Sequence, residues 1–202
     1  HTRLCRDWSS DVCSSDLQTP LGLAQIDSAL AAELKRAYPA LREDSVAHER
    51  EHSLEVQIPF LQRLKPDIQF VPVVMGTDRC ARMEELGQAV AHVVKDHIVQ
   101  SPGESVLVIA STDMNHYESE AITRAKDERA IARILELDAA GLYGVVRSEG
   151  ISMCGYAATV AMLVAMRELG ARKAELVRYA TSGDVNGDHD EVVGYAGCIV
   201  RA

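Results

Sequence analysis

Apolar positions along this chain switch between two periods, and the switches mark its elements. Ile68, Phe70, Val71, Val73, Val74 and Met75 read as a short strand that ends at Gly76, with Pro72 predicting an edge or a bulge. Met83, Leu86, Val90, Val93 and Val94 then fall on one helical face, with Glu84, Glu85 and Lys95 opposite. Residues 106–110 (Val106-Leu107-Val108-Ile109-Ala110) are a continuous, largely β-branched run, which suits a strand buried on both sides. Helical periodicity returns over residues 121–137, with Ile131, Ile134 and Leu135 inward, and again over 139–147, where Gly150 is the stop signal. An Ala-, Met- and Leu-rich helix is expected over 157–169, ending at Gly170. Residues 176–179 and 192–200 read as the last strands. The alternation predicts an α/β domain with helices on both faces of a sheet.

Residues 1–17 do not share this patterning. Asp7-Trp8-Ser9-Ser10-Asp11-Val12-Cys13-Ser14-Ser15-Asp16-Leu17 carries no apolar period and reads like the translation of a sequencing adapter. A genuine disordered tail is the alternative. The credible domain is therefore residues 18–202, taken as a single α/β unit.

Composition narrows the function classes. At 202 residues, 47% hydrophobic and 25% charged, the chain can build a real core. Its formal net charge of −9, its scattered Lys and Arg and its few aromatics argue against a nucleic-acid surface. No apolar run approaches the ~20 residues of a membrane span. Beyond residue 17 only Cys80, Cys154 and Cys198 remain, without framework spacing. A reducing, cytoplasmic setting is the expectation.

Chemistry concentrates in four polar patches at element edges. They are Glu51-His52-Ser53-Leu54-Glu55-Val56, Ser111-Thr112-Asp113-Met114-Asn115-His116, Met153-Cys154-Gly155-Tyr156 and Ser182-Gly183-Asp184-Val185-Asn186-Gly187-Asp188. Their His, Cys and carboxylate content is an inventory for a metal or acid–base site. The second patch follows the 106–110 run, and ligands of open α/β sheets bind beyond the carboxyl ends of strands. Asp113 and His116 suit an acid/base histidine steadied by a carboxylate, or a capping Asp with Ser111 or Thr112. Cys154-Gly155 opens a helix, where the dipole favours a thiolate, although a small inert core cysteine is the alternative. The apolar run after His52 predicts that this ring enters the interior.

Two motifs are weaker than they look. His48-Glu49-Arg50-Glu51-His52 matches the zinc-hydrolase pattern H-E-x-x-H, but no apolar helix leads into it and Pro59 follows closely. An exposed charged turn is the plainer reading of His48. Asp184 to Asp188 starts like a calcium loop, yet His189 stands where Gly is needed and Tyr195 where Glu is needed. A turn with Asx hydrogen bonds is the alternative. Cys80 and Cys198 read as structural, and His92 and His97 as exposed helix residues.

In order along the chain, Thr19-Pro20-Leu21-Gly22, the run from Glu51 to Leu61, Ser111 to His116, Met153-Cys154-Gly155, Ser182-Gly183-Asp184-Val185 and Val193-Gly194-Tyr195 resemble the MEMO family. Its prokaryotic members are called AmmeMemoRadiSam system protein B. The resemblance runs from about Thr19 to the C-terminus. It implies a three-layer αβα sandwich similar to class III extradiol dioxygenases, with the first strand or strands missing here. It also implies His52 and Cys154 as metal ligands, His116 and Asp113 in the acid/base position, and Glu51, Gly155, Asp184 and Asp188 lining the site. Fe(II) is the expected metal, with Cu or Zn as alternatives. A second His ligand is expected in an N-terminal region that this sequence lacks. The implied function is an iron-dependent, dioxygenase-like oxidoreductase. A non-catalytic partner of Amme-type and radical SAM companion proteins, binding a small molecule or peptide, is the alternative. The zinc hydrolase ranks behind both.

Overall fold

The computed structural model describes residues 11–12, 16–43 and 52–202. They fall into two compact units, one drawn from residues 1–79 and 92–107, the other from residues 80–91 and 108–202.

In the first unit, β2 (Leu17–Thr19) and β3 (Gly22–Ile26) form an antiparallel hairpin. The turn between them contains Pro20, and Gly22 takes the positive φ of 113° that an L side chain resists. Helix α1 (Ser28–Ala37) follows at once because Asp27 caps it, accepting from the Leu30 N–H at 2.9 Å, while Lys35 and Arg36 complement its last turn. Helix α2 (Ile58–Leu64) starts with proline in its first turn, and its Gln62 accepts a buried 2.6 Å bond from the Thr19 hydroxyl of the hairpin.

The strand expected over 68–75 is split at Pro72. β5 (Gln69–Phe70) pairs in parallel with β3, whereas β6 (Val73–Val74) joins a different sheet. That sheet has the order β4-β1-β6, with β4 (Arg42–Glu43) and β1 (Asp11–Val12). Both pieces are edge strands, as a residue without an N–H dictates. Asp11 and Val12 belong to the segment whose sequence lacks a period, yet their backbone pairs on both sides.

The second unit is built on helices. Residues 80–91 open helix α3 (Cys80–Gln100), whose remainder belongs to the first unit; the helix buries Met83, Leu86, Val93 and Val94 as its stripe predicts. Helices α4 (Glu120–Leu135), α5 (Ala139–Glu149) and α6 (Tyr156–Glu168) lie within a residue or two of their predicted spans. Gly150 ends α5 in the left-handed conformation at φ 60°. The strands β8 (Lys173–Thr181) and β9 (Val192–Arg201) pair antiparallel along their length, and β7 (His116–Glu118) pairs on the other side of β9. A four-residue helix, α7 (Gly183–Asn186), sits in the β8–β9 connection.

Residues 106–110 depart from expectation. No strand forms there, and Leu107 and Ile109 are 71% and 45% exposed while Val106, Val108 and Ala110 are half-buried. That alternation is the period of an extended chain covered on one side. Two-sided burial needs a hydrogen-bonded neighbour and layers on both faces, and among the described residues no strand pairs with this segment. The described elements thus make a mixed α/β fold of seven helices and three small sheets. No described helix is long and apolar enough to cross a membrane.

Candidate metal centre

The centre lies in the second unit, where the segment before β7 meets the segment before α6. Both are held by backbone pairing. The Met114 N–H donates to the Gly194 carbonyl and the Gly194 N–H returns to the Asn115 carbonyl, each at 2.9 Å. A bulge between His116 and Glu118 leaves Tyr117 at φ 59°, turning the strand locally so that His116 is re-aimed. On the other side, Gly155 caps α6 and its N–H donates to the Thr112 hydroxyl at 2.8 Å. Only glycine fits there: a Cβ would collide with the Ser111 carbonyl and lie 2.6 Å from Thr112 Cβ. The close approach places Cys154 against the Asp113 backbone, whose N–H donates to Sγ at 3.3 Å.

Asp113, His116 and Cys154 thereby each present one donor atom, all within 4.8 Å of one another. The His116 Nε2 stands 3.6 Å from Asp113 Oδ2, too far for a hydrogen bond. Its Nδ1 lies 2.8 Å from the Ser152 carbonyl, which can only accept, so Nδ1 carries the proton and the neutral ring keeps its lone pair on Nε2. Three electron-rich atoms of different type then face one another. Two donors bound to one ion at about 2.0–2.3 Å lie at most about 4.6 Å apart, and the ring–carboxylate gap is inside that span. Thiolate, imidazole and carboxylate together suit a divalent transition ion.

Beneath the centre is a buried network that sequence reading missed. Asn115 and Asp127 are both fully buried. Asp127 accepts the Asn115 N–H at 2.8 Å and the Tyr179 hydroxyl at 2.7 Å. Burial pushes its carboxyl above the ordinary range, and these two hydrogen bonds partly offset it. Burial, with Asp127 beside it, likewise pushes the Tyr179 phenol up. Glu118 accepts from Lys126 at 2.6 Å and from Asn115 at 2.7 Å, and those bonds hold its carboxyl below the usual range. A signal for Asp127 was present: with Thr123, Ala130, Ile131 and Ile134 it occupies the buried stripe of α4, an unusual place for a charge. Ser152, whose N–H and hydroxyl both meet Asn115, gave no such signal.

Among the described residues the other predicted ones are not part of this group of three. His52 is in the first unit and is exposed, because the apolar run after it does not sink as a whole: Ile58 is buried but Val56 and Phe60 are exposed. Glu51, His48 and Glu49 lie outside the described residues, and with them the H-E-x-x-H pattern. Asp184 accepts from the Thr181 N–H at 2.7 Å and from Arg124 at 3.1 Å. Asp188 accepts from the Asp190 N–H at 3.0 Å, while its own N–H donates to Asn186 Oδ1 at 2.9 Å, an Asx-bonded turn. Ser111 and Thr112 do not cap a helix, since α4 begins after Ser119. Half-buried Cys198 has its thiol pushed up by burial, as has Cys80 by burial and Glu84. His92 is exposed, but His97 is half-buried and hydrogen-bonds Glu104 at 3.0 Å.

Comparison with known proteins agrees with the sequence motifs. The family model for Memo-like protein matches residues 1–199. A MEMO1 family protein of Methanopyrus kandleri is 42% identical over 185 residues, covering 91% of this chain and 64% of the relative. One of Pyrobaculum arsenaticum is 42% identical over 179 residues, 89% of this chain and 62% of the relative. A third, from Methanocaldococcus jannaschii, is 42% identical over 188 residues, 91% and 64%. The chain spans somewhat less than two thirds of the length of these relatives.

Proposed function

This chain belongs to the Memo-like protein family, and from that premise we propose that it is a metal-binding protein whose second unit supplies Asp113, His116 and Cys154 to a divalent transition ion. One observation carries the reading: a sulfur, a ring nitrogen and a carboxylate oxygen converge within 4.8 Å of one another. Bound there, a redox-active ion such as Fe(II) would supply electron transfer to a substrate, and Cu or Zn are the alternatives by donor type. The residues' own contributions are separate. The Asp113 N–H directs positive charge at the sulfur. The Ser152 carbonyl holds the His116 proton on Nδ1. Asp113, 47% exposed at its side chain, is placed to hold or pass a proton at the solvent side. The reading carries with it a dioxygenase-like oxidoreductase on the three-layer αβα architecture of the resemblance, working in the cytoplasm.

The test is metal content after anaerobic purification, with Cys154→Ala and His52→Ala beside the parent. Near-stoichiometric iron, copper or zinc that is lost in Cys154→Ala is the expected result. Parent protein free of metal sinks the proposal. The His52 variant shows whether the ligand that the resemblance assigns belongs to the same centre.

A further inference from the structure

The backbone of the Cys154 segment is tied to the His116 segment through one serine. Ser152 holds His116 twice: its hydroxyl oxygen accepts the His116 backbone N–H at 2.7 Å, and its carbonyl accepts the ring Nδ1–H at 2.8 Å. Asn115 in turn holds Ser152 twice, its Oδ1 accepting both the Ser152 N–H and the Ser152 hydroxyl at 3.1 Å. The carboxamide cannot turn over. Its Nδ2 is spent on Glu118 at 2.7 Å and on Thr123 at 3.2 Å. A flip would set the amide nitrogen of the fully buried Asn115 against the Ser152 N–H, donor against donor. Ile151 and Met153 on either side of Ser152 are buried, so the carbonyl that meets the ring has little freedom.

We propose that Ser152 and Asn115 are positioning residues that lock the His116 imidazole as its Nδ1–H tautomer, aiming the Nε2 lone pair at Asp113 and Cys154. A neutral imidazole in water favours the opposite tautomer, so the lock selects the form able to bind or accept at Nε2. Outer partners of this kind orient a ligand ring and raise its basicity, and losing one costs about 10–100-fold in metal affinity. The metal part of this inference rests on the reading of the centre given above; the tautomer part does not.

The experiment separates the two. Ring nitrogen shifts of His116 in metal-free, 15N-labelled protein, recorded at mildly alkaline pH, report which nitrogen carries the proton. Zn2+ affinity is measured on the same samples. The parent should show the Nδ1–H form. Ser152→Ala keeps the carbonyl but frees the His116 backbone N–H from the hydroxyl that holds it, so the ring should drift off that carbonyl toward the Nε2–H form and Zn2+ binding should weaken about tenfold. Ser152→Thr, which restores the hydroxyl at an exposed position, should recover both. An Nε2–H parent overturns the inference. So does a Ser152→Ala protein that keeps the parent's pattern, or a Ser152→Thr protein that behaves like the alanine variant. If the tautomer shifts as expected but no variant binds Zn2+, the positioning role stands and the metal reading falls.

Discussion

Two loops of the second unit contain nearly the same chemistry and use it differently. Residues 111–116 bring an Asp and a His beside Cys154; residues 182–190 bring three Asp and a His beside Glu120. In the second loop Asp184, Asp188 and His189 each have an internal partner. Asp184 is paired with Arg124 and the Thr181 N–H, and His189 Nδ1 meets Glu120 Oε2 at 2.6 Å. In the first loop the Ser152 carbonyl holds Nδ1 and the Asp113 N–H reaches Sγ, while Nε2, Oδ2 and Sγ face one another. A site is marked by electron pairs that the fold does not use, more than by which residues are present. Among the described residues this is the one such cluster of three.

The comparison breaks first on metal binding. Asp113→Asn removes charge from the first loop and Asp184→Asn from the second. Metal affinity should fall at least about tenfold in the former and stay unchanged in the latter, as read by competition with a chromophoric chelator. Equal effects would mean that the two loops do not differ as argued.

The next largest effect is on stability. Asp127→Ala leaves the Asn115 N–H and the Tyr179 hydroxyl without their acceptor. At roughly 1–3 kcal/mol for each stranded group the loss should be about 3 kcal/mol. Asp127→Asn keeps the shape and one carbonyl oxygen and should cost clearly less. Urea unfolding measures both. If the two variants are equally damaged, Asp127 acts through its charge and not through these two bonds. Gly155→Ala is a smaller perturbation of the same loop. Its Cβ meets the Ser111 carbonyl and Thr112, so a cost of about 1–3 kcal/mol is expected from overpacking, with metal binding weakened because Cys154 is displaced.

What could be read from the sequence divides along the same line. Helices α3 to α6 were legible because apolar spacing and glycine stops are local signals, and Gly150 does end α5. The polar patches at 111–116 and 153–156 were legible as chemistry. Their convergence was not, because it depends on two close backbone approaches: Gly155 against Ser111 and Thr112, and Gly194 against Asp127 and Met114. Residues 106–110 misled for the opposite reason. Their β-branched content predicts a strand, but pairing and burial are properties of neighbours, and composition cannot supply them. Ser152 was invisible, since two of its five hydrogen bonds with Asn115 and His116 come from its backbone.

The smallest effect separates the loops by pH. In the second loop, hydrogen bonds from Arg124 and Thr181 hold the Glu120 carboxyl below its ordinary range, and the Thr181 N–H and Arg124 do the same for Asp184. A carboxyl whose folded pKa lies below its unfolded one binds protons more weakly when folded. Its contribution is therefore complete above the ordinary carboxylate range and is lost as pH falls through the folded value. Asp127, under the first loop, has the opposite shift. It favours the folded state most in acid, and that contribution declines as pH rises through its elevated folded value. Acid titration of stability should thus lose the second loop's contribution while the first loop's anchor is relieved. Both groups of the second loop are solvent-accessible, so the slope should be shallow and weaken further with salt. Glu120→Gln should flatten the acid limb and leave the region above it unchanged; Asp127→Asn should steepen the rise with pH that Asp127 opposes. A Glu120→Gln protein with the parent's acid limb would show that the second loop's ion pairs contribute nothing that titrates, and that its carboxylates are satisfied in geometry alone.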